Sequence, residues 1–252
     1  ASHSPTPRSG HSMTVAGVTA YLFGGINADE AAEGSADMYA LQISSAAMQW
    51  ERLQPDGPAP PGRWKHSAVL HKYTQLIVFG GFHTSSHRLN DLWVFDSVTL
   101  KWSQPNAAHN AATMDMSLTA SVWENTPAPR AAHTATMVGE KMWVFGGYGG
   151  VGYSRRDLDD LYSLDVSTWT WQRVIAKGTA PEKRSGHQAC AVEDKLYIFG
   201  GYSSVTQFDD VYFLDLSQEP PVWNAVASSL YSPLWSHAAC SVVAIPTWKI
   251  FV

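Results

Sequence analysis

Four times along the chain a short apolar run ends in a double glycine: YLFGG at Tyr21 to Gly25, LIVFGG at Leu76 to Gly81, MWVFGG at Met142 to Gly147 and LYIFGG at Leu196 to Gly201. Runs this short, rich in aromatic and β-branched residues and closed by a turn residue, predict buried strands. A segment opened by histidine, such as HSMTVAG, precedes each run and predicts a first strand. Behind each run lie two more apolar segments: one with an aromatic residue (DMYALQI, DLWVFDS, DLYSLDV, DVYFLDL) and one with a tryptophan (MQWERL, KWSQ, WTWQRV, VWNAV). Each unit thus predicts a meander of four short antiparallel strands, near residues 11–17, 19–25, 37–43 and 48–53 in the first. One such sheet is too small to stand alone, so the units must pack face to face around an axis.

The landmarks recur in a fixed order. Arg8 and His11, Arg63 and His66, Arg130 and His133, and Arg184 and His187 each form Arg-x-x-His, with the histidine 13, 14, 13 and 13 residues before the first glycine. The diglycines are Gly24-Gly25, Gly80-Gly81, Gly146-Gly147 and Gly200-Gly201, at intervals of 56, 66 and 54. An aspartate and an apolar residue lead to Tyr39, Trp93, Tyr162 and Tyr212, and Trp50, Trp102, Trp171 and Trp223 follow 9 to 11 residues later. In this pattern the chain resembles the Kelch repeat family, marked by a diglycine after an apolar run and a spaced Tyr and Trp at a period of about 50 residues.

The resemblance implies an all-β fold, a Kelch-type β-propeller of four-stranded antiparallel blades. The blades fall near 8–53, 63–104, 130–175 and 184–227, with a partial fifth at 234–252 where Leu234 replaces the arginine and His237 opens the strand. The pattern stops before a further diglycine, so the expectation is an incomplete ring. Between the second and third blades residues 103–129, rich in Ala, Thr, Asn and Pro, form a long insertion read as a surface loop. The third-strand aromatic and the tryptophan are expected to bury one blade on the next. The glycines are expected where a Cβ would be forbidden.

Composition narrows the partners. Lys and Arg number 17 against 22 Asp and Glu, a net charge of −5, which offers no footprint for nucleic acid or an anionic membrane. No apolar run approaches the roughly 18 residues of a spanning helix. Two cysteines make no disulfide framework, and Cys190 and Cys240, each three residues after a repeat histidine, are expected as free thiols in a cytoplasmic protein.

Little in the sequence suggests catalysis or a cofactor. Histidines 11, 66, 133, 187 and 237 recur once per repeat, so a blade-stabilising role is expected for them and no metal site. His83 and His87 have the i, i+4 spacing of helical zinc ligands, but they follow a diglycine in a loop and are read as a surface pair. Gly146 to Gly150 lacks the Lys-Ser/Thr of a phosphate loop. The carboxylates at Asp29, Glu30, Glu33, Asp37, Asp159, Asp160, Asp209 and Asp210 are read as solvated.

The functional expectation is a non-enzymatic protein-interaction module acting through loops. The alternatives are the propeller domain of an enzyme, of which galactose oxidase is one type, and an architectural part of a cytoskeletal or ciliary assembly. Strand direction alternates in a meander, so the loops after the second and fourth strands share one end. That end collects Phe82, Tyr148 and Tyr202, each following a diglycine, with His83, Arg88, Tyr153, Arg155 and Arg156. Aromatic residues beside arginine are frequent interface hot spots, so an acidic segment of another protein is expected there.

Overall fold

The computed structural model describes residues 4–27, 33–44, 48–105, 125–150, 155–227, 230, 232–234, 240–244 and 247–251. Tyr153, His237, the centre of the 103–129 insertion and the side chain of Cys240 lie outside the described residues. The described residues contain strands and turns and no helix, so none is long and apolar enough to cross a membrane. The chain divides into two compact units: residues 1–118 with 129–131, and residues 119–128 with 132–252.

The first unit holds two blades. In one, β1 (Ser12–Ala16), β2 (Thr19–Phe23), β3 (Met38–Gln42) and β4 (Trp50–Leu53) pair consecutively and antiparallel. In the other, β5 (Ser67–His71), β6 (Gln75–Phe82), β7 (Arg88–Asp96) and β8 (Lys101–Ser103) do the same, with a register shift between Phe79 and Gly81. Gly80 sits in that bulge at φ 65°, in the left-handed region where glycine is favoured. The short strand β9 (Arg130–Ala131) also belongs to this unit.

The second unit repeats the design. β10 (Thr134–Val138), β11 (Lys141–Gly149), β12 (Arg156–Asp165) and β13 (Thr170–Val174) form its first meander. In the next sheet β15 (Gln188–Val192), β16 (Lys195–Phe199), β19 (Val211–Asp215) and β20 (Val222–Ala225) follow one another, and the linker strand β14 (Lys177–Gly178) pairs in parallel with β20 at its edge. A small hairpin of β17 (Tyr202–Ser203) and β18 (Thr206–Gln207) stands between β16 and β19. The hairpin β21 (Cys240–Ala244) and β22 (Thr247–Phe251) begins a fifth repeat, with β21 beside β15.

Aromatic residues fill the space between blades, as the repeat pattern predicts. In the first unit Tyr21, Phe23, Met38 and Ala40 of one blade meet Leu76, Val78, Trp93, Phe95 and Trp102 of the next. Phe23 lies 4.9 Å from Trp102, centroid to centroid, and Tyr21 lies 5.6 Å from Phe95. The second unit repeats this with Phe145 and Trp223 at 5.3 Å. Trp102 and Trp223 of the fourth strands therefore belong energetically to the boundary with the blade before them. Trp50 has no such preceding neighbour within its unit and is only half-buried.

Candidate functional site

The repeated polar residues build the frame on which the loops stand. Arg63 and Arg184 are fully buried, and Arg130 equally so. Arg63 donates from Nε to the Pro61 carbonyl (3.1 Å), from Nη1 to the Gly80 carbonyl (2.9 Å), and from Nη1 and Nη2 to the two Asp91 oxygens (both 2.8 Å). Arg184 makes the same set to Glu182, Gly200 and Asp210, whereas Arg8 bonds Thr6 and Gly24 but meets Asp37 through Oδ2 alone, Oδ1 being taken by Arg52. The guanidinium thus locks the diglycine turn to the start of the third strand, with the charges of Arg63 and Arg184 each matched by a bidentate carboxylate. This corrects the expectation of solvated carboxylates at Asp37 and Asp210, which are ion-paired, whereas Asp159 and Asp209 are exposed as expected. Burial pushes the Asp37 carboxyl up, but bonds from Arg52, Arg8 and Ser35 outweigh it and hold it below the usual range.

Two of the repeat histidines, His66 and His187, work between blades. His66 places Nε2 2.8 Å from Ser12 Oγ of the preceding blade, and His187 places Nε2 2.9 Å from Thr134 Oγ1. Each also meets a phenylalanine edge-on, Phe23 at 5.3 Å and Phe145 at 5.4 Å. Burial, with Arg63 nearby, drives the His66 pKa well below its ordinary value, so the ring is neutral. The second glycine of three of the turns donates its N–H across a blade boundary in the same way: Gly25 to Arg63, Gly147 to Arg184 and Gly201 to Leu234. Leu234, which lacks the guanidinium, still supplies the carbonyl that the frame uses.

On this frame the expected partner residues separate into two groups. In the second blade Phe82 stacks on Trp64 (5.2 Å between centroids, 23° between planes), and the Arg88 guanidinium lies 5.2 Å over its ring. Arg88 departs from expectation. It opens β7 and is 6% exposed, so it supports Phe82 from within and offers no surface of its own. His83 is half-buried and bonded through Nδ1 to the Gly62 carbonyl at 2.8 Å.

In the second unit Arg155 and Arg156 are exposed, Tyr148 is half-buried and Tyr202 is 38% exposed. One contact that sequence reasoning missed brings these loops together: buried Asp157 accepts from Ser204 N (3.0 Å) and Ser204 Oγ (3.2 Å) of the next blade. It ties the β17–β18 hairpin, whose tip carries Val205 at 91% exposure, to the start of β12, the residue after Arg156. No spacing rule marks Asp157, because its partner is 47 residues away in a different repeat. Among the described residues, no three His, Cys, Asp or Glu side chains gather as a metal cluster.

Comparison with known proteins agrees with this architecture. The family model described as the KLHDC2/KLHL20/DRC7 Kelch-repeats domain matches residues 1–125 and again 115–252. Host cell factor 1 of Rattus norvegicus is 30% identical over 252 residues, covering 86% of this chain and 12% of that protein. The dynein alpha chain of the flagellar outer arm of Chlamydomonas reinhardtii is 30% identical over 259 residues, covering 98% of this chain and 5% of the dynein. Host cell factor 2 of Homo sapiens is 28% identical over 253 residues, covering 86% of this chain and 30% of its own length. The chain therefore spans only a small part of each of these relatives. With two family matches that together cover it from end to end, and with the diglycine, arginine and tryptophan positions built into matching blades, the chain belongs to the Kelch-repeat family.

Proposed function

We propose that this chain is a non-enzymatic interaction module that holds an acidic segment of another protein across the loop end of its blades. The observation that carries the reading is the Asp157–Ser204 tie, which joins the segment bearing the exposed Arg155 and Arg156 to the hairpin bearing Tyr202 and Val205. Two guanidiniums capture carboxylates, and an exposed aromatic with an apolar tip supplies contact area at low entropic cost. Tyr148 extends the same end of the third blade, and Phe82 with His83 forms a corresponding surface in the first unit. The blades fall at the boundaries the repeats define, and the recurring Arg, His, Gly and Trp positions are scaffold in this reading.

The names of the relatives support an interaction role. A host cell factor and a flagellar dynein chain each carry a region similar to this one within a much longer protein. On that basis we place the chain in the cytoplasm, within or beside a cytoskeletal or ciliary assembly, with a protein and not a nucleic acid or a membrane as its partner.

The test is selection of binders from a random peptide display library, followed by titration of the enriched peptides. Enrichment of Asp and Glu beside an apolar residue is expected, with affinity lost in the Arg155→Ala/Arg156→Ala double variant and its melting temperature unchanged. Peptides that bind this variant as tightly as the parent would overturn the reading.

A further inference from the structure

The turn from His83 to His87 is built more tightly than a surface loop requires. His83 N donates to the His87 carbonyl (2.9 Å), and His87 N donates to the Thr84 carbonyl (3.2 Å) and to Thr84 Oγ1 (3.1 Å). A strand bridge joins Thr84 to Glu33, and Gly34 N donates to the His83 carbonyl at 2.9 Å. The turn is therefore held from within and from the neighbouring blade.

We propose that this turn is a labile zinc-binding site in which His83 and His87 supply two imidazole ligands and water supplies the rest. Three features carry it. First, the His83 tautomer is fixed: a carbonyl only accepts, so Nδ1 must carry the proton bonded to Gly62, which leaves the Nε2 lone pair available to a metal. A ligating imidazole whose other nitrogen is tied to a backbone carbonyl is the ordinary arrangement at zinc sites.

Second, the two rings are already close, with centroids 5.9 Å apart and planes at 81°. With Zn–N bonds of about 2.0–2.1 Å, two imidazoles on one tetrahedral ion have centroids roughly 5 Å apart. The remaining difference of about 1 Å is within the range that side-chain rotation covers.

Third, the surroundings suit a cation that comes and goes. Both rings are half-buried, which leaves room for water on the open side. The nearby Asp91 is already paired with Arg63, Arg88 is itself held over Phe82, and Glu33 lies across the strand bridge. With two protein ligands the site is weaker and more exchangeable than a structural zinc centre. It stands independently of what the loop end binds.

The experiment is calorimetric titration of ZnCl2 into the full 252-residue chain at about pH 7.5 and again at about pH 5.5, with His87→Ala and His83→Asn in parallel. The asparagine can still donate to Gly62 while ligating poorly. One site is expected at the higher pH, with loss at the lower pH and binding about tenfold or more weaker in either variant. As a readout that needs no variant, imidazole 15N NMR of the parent chain should show Zn2+ shifting the Nε2 resonance of His83, while Nδ1 remains protonated. Equal binding by His87→Ala, or absence of both heat and shift up to about 1 mM zinc, would overturn the proposal.

Discussion

His66 reaches out of its own blade to set Nε2 2.8 Å from Ser12 Oγ, and its buried ring is neutral. That pair gives the fold a pH dependence. The unfolded chain takes up a proton at about pH 6.5, whereas folded His66 resists it until well below. Stability is therefore complete above about pH 6.5 and falls as pH decreases beneath it, by up to about 1.4 kcal/mol per pH unit for this one group. Urea unfolding at several pH values checks this: His66→Gln should be less stable at neutral pH and should flatten the dependence between about pH 6.5 and 5. An unchanged slope would remove His66 from the account.

Arg63 and Asp91 supply the second prediction. Breaking the pair from one side strands a charge at 0% exposure, so Asp91→Ala should cost about 3–5 kcal/mol. Replacing both partners with apolar residues, Arg63→Met and Asp91→Leu, removes the stranded charge but leaves the Gly80 carbonyl and Trp93 Nε1 without their bonds. The double variant is expected to lie between the parent and Asp91→Ala, a non-additivity that a double-mutant cycle in urea would measure.

Glycine positions differ sharply in what they tolerate. At Gly24, with φ +71°, a Cβ would stand 2.5 Å from the Arg63 carbonyl oxygen and 2.9 Å from the His66 ring. At Gly17, with φ +61°, it would meet nothing within 4 Å. Gly17→Ala should therefore cost only the backbone term, about 1–2 kcal/mol, and Gly24→Ala distinctly more, because the boundary between the two blades must open. Thermal melts of the two variants side by side make the comparison. Equal losses would show that the close approach is relieved by small shifts.

The strands and the boundary aromatics were legible in the sequence because one repeat states them four times, and the glycine spacing locates each second strand within a residue or two. The partner of each arginine was not legible. Arg8, Arg63 and Arg184 meet aspartates 29, 28 and 26 residues on, and this separation drifts with loop length while the contact stays fixed. A carboxylate at a strand start reads as solvated until the fold folds it back onto a buried guanidinium. Arg88 misleads for a different reason: the register shift at Gly80 pairs it with Phe82 and turns it inward, and a single bulge reverses the face that simple alternation assigns. Contacts between repeats, such as His66 with Ser12 at a separation of 54 residues, are recoverable only once the blades are known to be neighbours.

Asp157 separates the two roles that the loop end combines. Its side chain is 4% exposed, so it cannot serve as a partner contact, yet its Oδ2 accepts both the N–H and the hydroxyl of Ser204 and so holds the hairpin carrying Tyr202 and Val205. Asp157→Asn keeps the shape and still offers one accepting oxygen, whereas Asp157→Ala removes both bonds. The alanine variant is expected to lose about 1–3 kcal/mol through the freed buried groups, and to raise hydrogen exchange at Ser204 N above that of the parent. Because Arg155 and Arg156 remain, capture of an acidic peptide should weaken through faster dissociation and not through slower association, since steering depends on the charges and residence on the ordered hairpin. Asn should recover most of the dissociation rate. If the alanine variant instead loses association rate alone, the hairpin plays no part in holding the peptide, and the contact surface is confined to the arginines.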